Sequence, residues 1–337
     1  MFKLKRKALQ YVIAFGIGSL LCLQTNGQAT PDEILRIDTN LVNLFFTALD
    51  RDNRPISNLT RADLQVLEDG KAQEILLFQS ETNRPLNLAI LVDISGSQKT
   101  TLELEKSNIS AFVDSVLQSH SDKVALISFA ADPFLEQTLT SDLSESHQAL
   151  ERLKTIRGAI GYQGSGTIIP VGTKPAVGFL SYTSAIWDAI VESCRNVLKP
   201  ASVDARRIII IVTDGEDTSS RSSLQDAIEA ALESDVMVYT IGVGDSSLAS
   251  GVNRKTLERL SFETGGRFFS PKRSEDLSES FKKIAAELRS QYLVTYVPRN
   301  EFNGGVSYRR IRLSLNKAKQ VENLRLVYRS GYYFKGQ

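Results

Sequence analysis

The chain has 337 residues, more than one typical domain needs, so a main domain with a smaller companion and a substantial core is expected. Its 40 Lys and Arg against 39 Asp and Glu leave a formal charge of +1, which excludes a global field drawing it to nucleic acid or anionic lipid. Any charged partner must be recognised locally.

The amino terminus is basic, MFKLKRK, and runs into ALQYVIAFGIGSLLCL, an apolar stretch shorter than the ~20 residues that span a bilayer. This pattern predicts a signal peptide over 1–29, with Gly27 and Ala29 spaced for cleavage. It implies a secreted or periplasmic protein with no membrane span once the signal is removed. An uncleaved signal anchor is the alternative. Cys22 does not mark a lipoprotein, because Leu21 stands where a small residue is needed. Cys194 is then the one cysteine of the mature chain, on an apolar helical pattern, and is read as packing.

Residues 30–84 read as antiparallel strands (NLVNLFFTALD, LQVLEDG, EILLF) broken by turn signals at Asp52-Asn53 and Asp69-Gly70. From 85 to 290 short apolar runs alternate with amphipathic segments. LAILV is followed by a helix from about Thr101 to Leu117, then KVALISFA, SESHQALERL, SAIWDAIVESCRNVL, RRIIIIVTD, SLQDAIEAALES, VMVYTIGVG, KTLERLSFETG, RFFS and DLSESFKKIAAELRSQY. Runs such as IIIIV lack polar alternation, so both faces must be covered, as in a doubly wound, mostly parallel α/β sheet. Residues 291–337 return to strands (QYLVTYV, YRRIRLSL, LRLVYRSGYYF). Neither flank has strands enough for a two-sheet core. We therefore expect 30–84 and 291–337 to combine into one β-sandwich from which the α/β domain protrudes; independent small hairpins are the alternative. Within the α/β part, residues 157–183 form a Gly-rich stretch without periodicity, a length of loop that is usually functional or mobile.

Two apolar strands end in acidic turns, LAILV in Asp93-Ile94-Ser95-Gly96-Ser97 and IIIIV in Thr213-Asp214-Gly215. Carboxyl ends of strands in open α/β sheets form the ligand crevice, so both aspartates fall on one rim. Asp93, Ser95 and Ser97 alternate along the turn and can converge with Asp214 into an all-oxygen site. Such donors suit a hard divalent cation, Mg²⁺ first, with Mn²⁺ or Ca²⁺ as alternatives. An open coordination position would favour the Asp or Glu carboxylate of a protein ligand. Asp217 and Glu216 read as a solvated turn, with Asp217 as an outer member of the site as the alternative.

D-x-S-x-S after one strand and T-D-G after a later one resemble the metal-ion-dependent adhesion site of von Willebrand factor A (VWA) domains. The resemblance spans about 86–290. It implies a further hydroxyl ligand from Thr183-Ser184-Ala185-Ile186-Trp187-Asp188-Ala189, similar to the family's G-T-A-L-Y-D-A. This aligns Ser184 with the family's threonine, and Thr183 stands one residue earlier as the fallback. Asp188 is expected to orient that loop. The flanks (NLVNLFFTALDRDNRPISNLTRADLQVLEDGKAQEI, YRSGYY) resemble secreted bacterial VWFA-related domain proteins. The resemblance also implies that the last helix of the domain can move on ligation. The long loop leads straight into Ser184, so Tyr162, Ile168 and Ile169 are candidates for ligand contacts or a lid.

The resulting expectation is an exported, metal-dependent protein-binding module rather than an enzyme. A structural envelope protein with an unused metal site is one alternative. The other, a metal-dependent phosphohydrolase, meets Ser95 where the D-x-D-x-T pattern needs its acid. His120 and His147 lie in settings unsuited to a hydrolase triad, and neither a G-x-S-x-G turn nor a phosphate-binding loop occurs. The oligomeric state is left open.

Overall fold

Alternating apolar and polar residues before position 85 form four strands: β1 (Val42–Leu49), β2 (Leu64–Glu68), β3 (Lys71–Gln73) and β4 (Ile75–Ser80). The structure is a computed structural model that describes residues 41–80, 84–98, 100–155, 165–173, 183–202, 204–243, 252–272, 274–299, 306–316 and 323–335. The signal peptide expected over 1–29 and Tyr162 lie outside them. Asp69 and Gly70, at φ 48° and 81°, link β2 to β3 in the left-handed conformation that a two-residue hairpin turn demands.

The α/β part follows with β5 (Leu86–Asp93), α1 (Leu102–Val116), β6 (Lys123–Phe129), β7 (Pro133–Thr140), α2 (Leu143–Arg152) and α3 (Ile186–Glu192), which widens into a π-turn over Ser193–Leu198. Then come β8 (Arg206–Thr213), α4 (Leu224–Glu233), β9 (Val236–Gly242), α5 (Arg254–Thr264), β10 (Phe268–Phe269) and α6 (Ser274–Arg289). The chain ends in β11 (Tyr292–Tyr296), β12 (Val306–Leu315), β13 (Arg325–Tyr328) and β14 (Gly331–Lys335). Among the described residues no helix is long and apolar enough to cross a membrane.

The central sheet has the order β10-β9-β8-β5-β6-β7 and is parallel except for β7. Strands β5 and β8 are buried along their whole length, as their unbroken apolar runs predict. Successive residues of β5 enter opposite cores. Leu88, Ile90 and Val92 meet Ile109 and Phe112 of α1 and Phe281 and Ile284 of α6. Ala89 and Leu91 meet Ile186 and Ile190 of α3, Ile228 of α4 and Leu260 of α5. Cys194 is fully buried in this second core, and burial pushes its thiol pKa up, in keeping with a packing residue. Strand β7 was not anticipated. Its polar Glu136, Gln137 and Thr138 suit an edge strand and hide the period-two pattern.

The flanks form two antiparallel sheets, β13-β1-β11-β4 and β14-β12-β2-β3, each mixing strands from both ends of the chain. Their facing sides share one core that includes Leu44, Phe46, Val66, Tyr292, Val294, Ile311 and Leu313, so the expected sandwich forms. Glu68, fully buried, receives hydrogen bonds from the hydroxyls of Tyr296 and Tyr332, both at 2.9 Å, and from Arg309 Nη1 at 2.8 Å. The sandwich joins the α/β part at the amino ends of its strands. There Arg206, first residue of β8, donates to the Arg84 carbonyl (3.3 Å), to Gln291 Oε1 (3.2 Å) and to the Leu288 carbonyl. One guanidinium thus ties the chain segment entering the α/β part to the one leaving it. The carboxyl ends of the strands face the other way.

Candidate metal centre

From β5 the chain builds β6 and β7 on one side, then crosses to lay β8 on the other. The switch of direction opens a crevice between the carboxyl ends of β5 and β8. Asp93 closes β5 and Thr213 closes β8, with Asp214 next in the chain. Asp93 is fully buried. Its Oδ1 accepts the Ser95 amide at 2.9 Å, and its Oδ2 accepts the hydroxyls of Ser184 at 3.1 Å and Thr213 at 3.0 Å. Burial pushes the Asp93 pKa up to about 6; the Ser95 hydroxyl and amide oppose the shift, the Asp214 charge adds to it, and the Thr213 hydroxyl opposes it.

Asp214 is half-buried, and its Oδ1 accepts the Glu216 amide at 3.0 Å. The turn depends on Gly215: at φ 83° a side chain would be strained, and its Cβ would lie 3.0 Å from Leu257. Ser95 is buried beside Asp93. Ser97 lies in the short 3₁₀ turn Gly96–Gln98, but its side chain is outside the description.

Ser184 reaches Asp93 because its backbone is clamped. Its amide donates to Thr218 Oγ1 at 2.8 Å, and its carbonyl accepts the amides of Thr218 (2.9 Å) and Ser219 (3.2 Å). Asp217 is not a solvated side chain. Its Oδ1 accepts the amides of Ile186 (2.8 Å) and Trp187 (3.4 Å) and the Ser220 hydroxyl (2.5 Å), satisfying the start of α3 just after Ser184. Asp188, buried, accepts the amides of Arg221 and Ser222, each at 2.9 Å, and so fixes the 217–222 turn rather than its own loop. Thr183 Oγ1 is buried without a hydrogen-bond partner.

The described part of the long loop lies along β7. Ile169 pairs with Phe134 and packs against it and Ala131. Ile168 packs on the second core, its amide donating to Glu192 Oε2 at 3.0 Å. Both isoleucines are thus partly taken up in packing. Ser165 donates its hydroxyl to buried Asp132, just past the end of β6, at 2.8 Å.

Sequence reasoning passed over Thr213, Thr218 and Glu105. A hydroxyl on the last residue of a buried strand, directly before Asp214, was a usable signal for Thr213. Thr218 and Glu105 carry no signal short of their burial and contacts. Glu105, in the first turn of α1, is fully buried. Burial pushes its pKa up to about 8; the Thr101 hydroxyl opposes that shift, and the charges of Asp93 and Asp214 add to it.

The rim therefore offers two carboxylates and the hydroxyls of Ser95, Ser184 and Thr213, all oxygen. This donor set fits a hard divalent cation. Among the described residues no three His, Cys, Asp or Glu side chains converge to hold a metal, so the fit depends on the hydroxyls. A separate cleft of about 1350 Å³, lined by Arg254, Phe262, Phe268, Arg310, Arg325 and Tyr333 among others, includes none of these residues.

The sequence profile of the von Willebrand factor type A domain matches residues 87–283. An uncharacterized protein of Borreliella burgdorferi is 24% identical over 219 residues, 58% of this chain and 56% of that protein, so the match spans about half of the relative's length. Among solved structures, the conserved hypothetical protein BatB from Bacteroides thetaiotaomicron is 23% identical with a TM-score of 0.46, over 61% of this chain and all of that one. A von Willebrand factor type A protein from Catenulispora acidiphila is 12% identical with a TM-score of 0.47, over 87% of this chain and 75% of its own. Proximal thread matrix protein 1 from the mussel byssus, with a zinc-occupied MIDAS motif, is 15% identical with a TM-score of 0.46, over 64% and 50%.

Proposed function

This chain belongs to the von Willebrand factor type A domain family, and from that premise we propose that it is an exported, non-enzymatic binding protein whose rim holds a divalent cation. Asp93, Ser95, Ser97, Ser184 and Asp214 would hold the ion, with the Thr183 hydroxyl in reserve. Mg²⁺ is the proposed ion, ahead of Mn²⁺ and Ca²⁺. When bound, the cation supplies an electrophilic position that an Asp or Glu carboxylate of a protein partner completes.

The observation that carries this reading is Asp93: a fully buried carboxylate whose oxygens meet neutral donors, the amide and hydroxyl of Ser95 and the hydroxyls of Ser184 and Thr213. Neutral donors orient an anion without cancelling its charge. Asp217 and Thr218 keep Ser184 in place, so the rim is organised before any ion arrives. Ser95 has no acid to offer a leaving group at neutral pH, which favours binding over turnover.

Calorimetric titration of the metal-free protein with Mg²⁺, Mn²⁺, Ca²⁺ and Zn²⁺, paired with partner capture from envelope extracts with and without chelator, tests the proposal. Saturable binding is expected for the wild type and none for Asp93→Ala, with capture lost under chelator. Partner capture that survives both treatments would overturn it.

A further inference from the structure

Helix α1 begins directly after the turn that carries Ser95 and Ser97, and its first turn sends Glu105 into the interior. Glu105 has no solvent exposure and neither of its oxygens has a well-formed hydrogen bond; the one donor acting on it is the Thr101 hydroxyl, which already donates to Gln98 Oε1. The adjacent Lys106 does not compensate it: its Nζ donates to Glu103 at 3.1 Å and lies near the carbonyls of Glu151 and Leu153. The groups acting on Glu105 are the Thr101 hydroxyl and the carboxylates of Asp93 and Asp214, and both charges are of its own sign.

A first-turn glutamate gains from the helix macrodipole, but at most by about 2 kcal/mol. Desolvating an ion costs several kcal/mol. Helix placement alone therefore leaves an ionised Glu105 uncompensated, in keeping with a carboxyl that burial pushes up to about 8. Close to it in the chain, Gln98 presents a buried Nε2 with no acceptor, while its Oε1 accepts the Thr101 hydroxyl at 2.9 Å. A buried donor without an acceptor and a buried carboxyl without a well-formed hydrogen bond thus lie on the segment leading from the D-x-S-x-S turn into α1, with no positive charge beside them among the described residues.

We infer that Glu105 is a third carboxylate of the cation site, supporting the bound ion from the interior across an ordered water rather than as a direct ligand. The three carboxylates do not converge on a single point, which is why the contact is indirect. The buried Gln98 amide and the Glu105 oxygens supply the donor and acceptors such a water needs. This inference rests on the cation reading of the rim. It adds an interior residue to that rim and assigns a role to a buried carboxyl that packing does not explain.

Metal-free wild type, Glu105→Gln and Glu105→Met are titrated with Mg²⁺ and with Mn²⁺, and each is melted with and without the ion. Both variants are expected to lose affinity by about 10–100-fold, the range for residues acting just outside a metal's ligands. Their metal-free melting temperatures should match or exceed that of the wild type, and the metal-induced rise should shrink. A core-packing role would move these readouts the other way. Variants that bind as tightly as a wild type with saturable binding, or that are less stable without metal yet keep the full metal-induced rise, overturn this inference alone. Wild type without saturable binding of either ion overturns the cation reading and this inference together.

Discussion

Glu68 in the sandwich and Asp93 at the rim are both fully buried, yet their surroundings differ in charge. Around Glu68 stand two tyrosine hydroxyls and the Arg309 guanidinium, itself stacked 4.1 Å from the Phe334 ring, so the acid finds a full counter-charge within the chain. Around Asp93 are only neutral donors, with Asp214 as a second negative charge nearby. The sandwich spends its buried charge on cross-linking its two sheets, whereas the rim surrounds its own with neutral donors. A buried carboxylate is thus informative about ligands through what surrounds it, not through burial itself.

The sharpest way to break this comparison is Arg309→Met. Leaving Glu68 buried without its partner should cost about 3–5 kcal/mol in denaturant unfolding, and saturating Mg²⁺ should not repair it. A cost near zero would mean that the sandwich carboxylate is no better compensated than the rim's.

The next effect is on pH dependence. Burial raises Asp93 to about 6 and Glu105 to about 8, above their ordinary values of 3.8 and 4.5. Groups raised in the folded state ionise first in the unfolded chain. Their stabilising contribution is therefore complete below about pH 4 and drains away as pH rises to about 6 for Asp93 and about 8 for Glu105. Metal-free protein should melt several degrees lower at pH 8 than at pH 5, and Mg²⁺ should close most of that gap. A metal-free melting temperature that stays flat or rises across this window would contradict the contrast drawn between the two regions.

The smallest change expected is for Thr213→Val, which removes one hydroxyl from Asp93 while keeping the strand end apolar. Mg²⁺ affinity should fall about tenfold in calorimetry, with stability altered by no more than about 1 kcal/mol. Unchanged affinity would show that the hydroxyl serves the strand end and not the ion.

The fold was largely legible because burial on both faces writes itself into unbroken runs such as IIIIV, and because turn residues such as Asp69-Gly70 mark hairpins. Strand β7 was not, since an edge strand with solvent on one side tolerates polar residues that blur its alternation. At the rim, Asp93 and Asp214 stood out as acids ending apolar strands. For Asp217 the solvated-turn reading fails, because its three hydrogen bonds come from residues distant in sequence or hidden by the turn. Glu105 was invisible for a related reason: within LELEKS it looks like one more charge on an amphipathic helix, and only packing reveals that it faces inward.

The sandwich's mixed strand pairing has a consequence in time. Apart from the local β2–β3 hairpin, strands β1, β2 and β4 find their sheet partners only in β11 to β13, beyond an insertion of about 200 residues. At synthesis rates of about 5–20 residues per second, β1, β2 and β4 would wait roughly 10–40 s for those partners while the α/β part is completed. During that interval the alternating apolar face of β1 is open to other chains. Any escort of the nascent chain would have the amino-terminal half-sandwich to protect, not the α/β part.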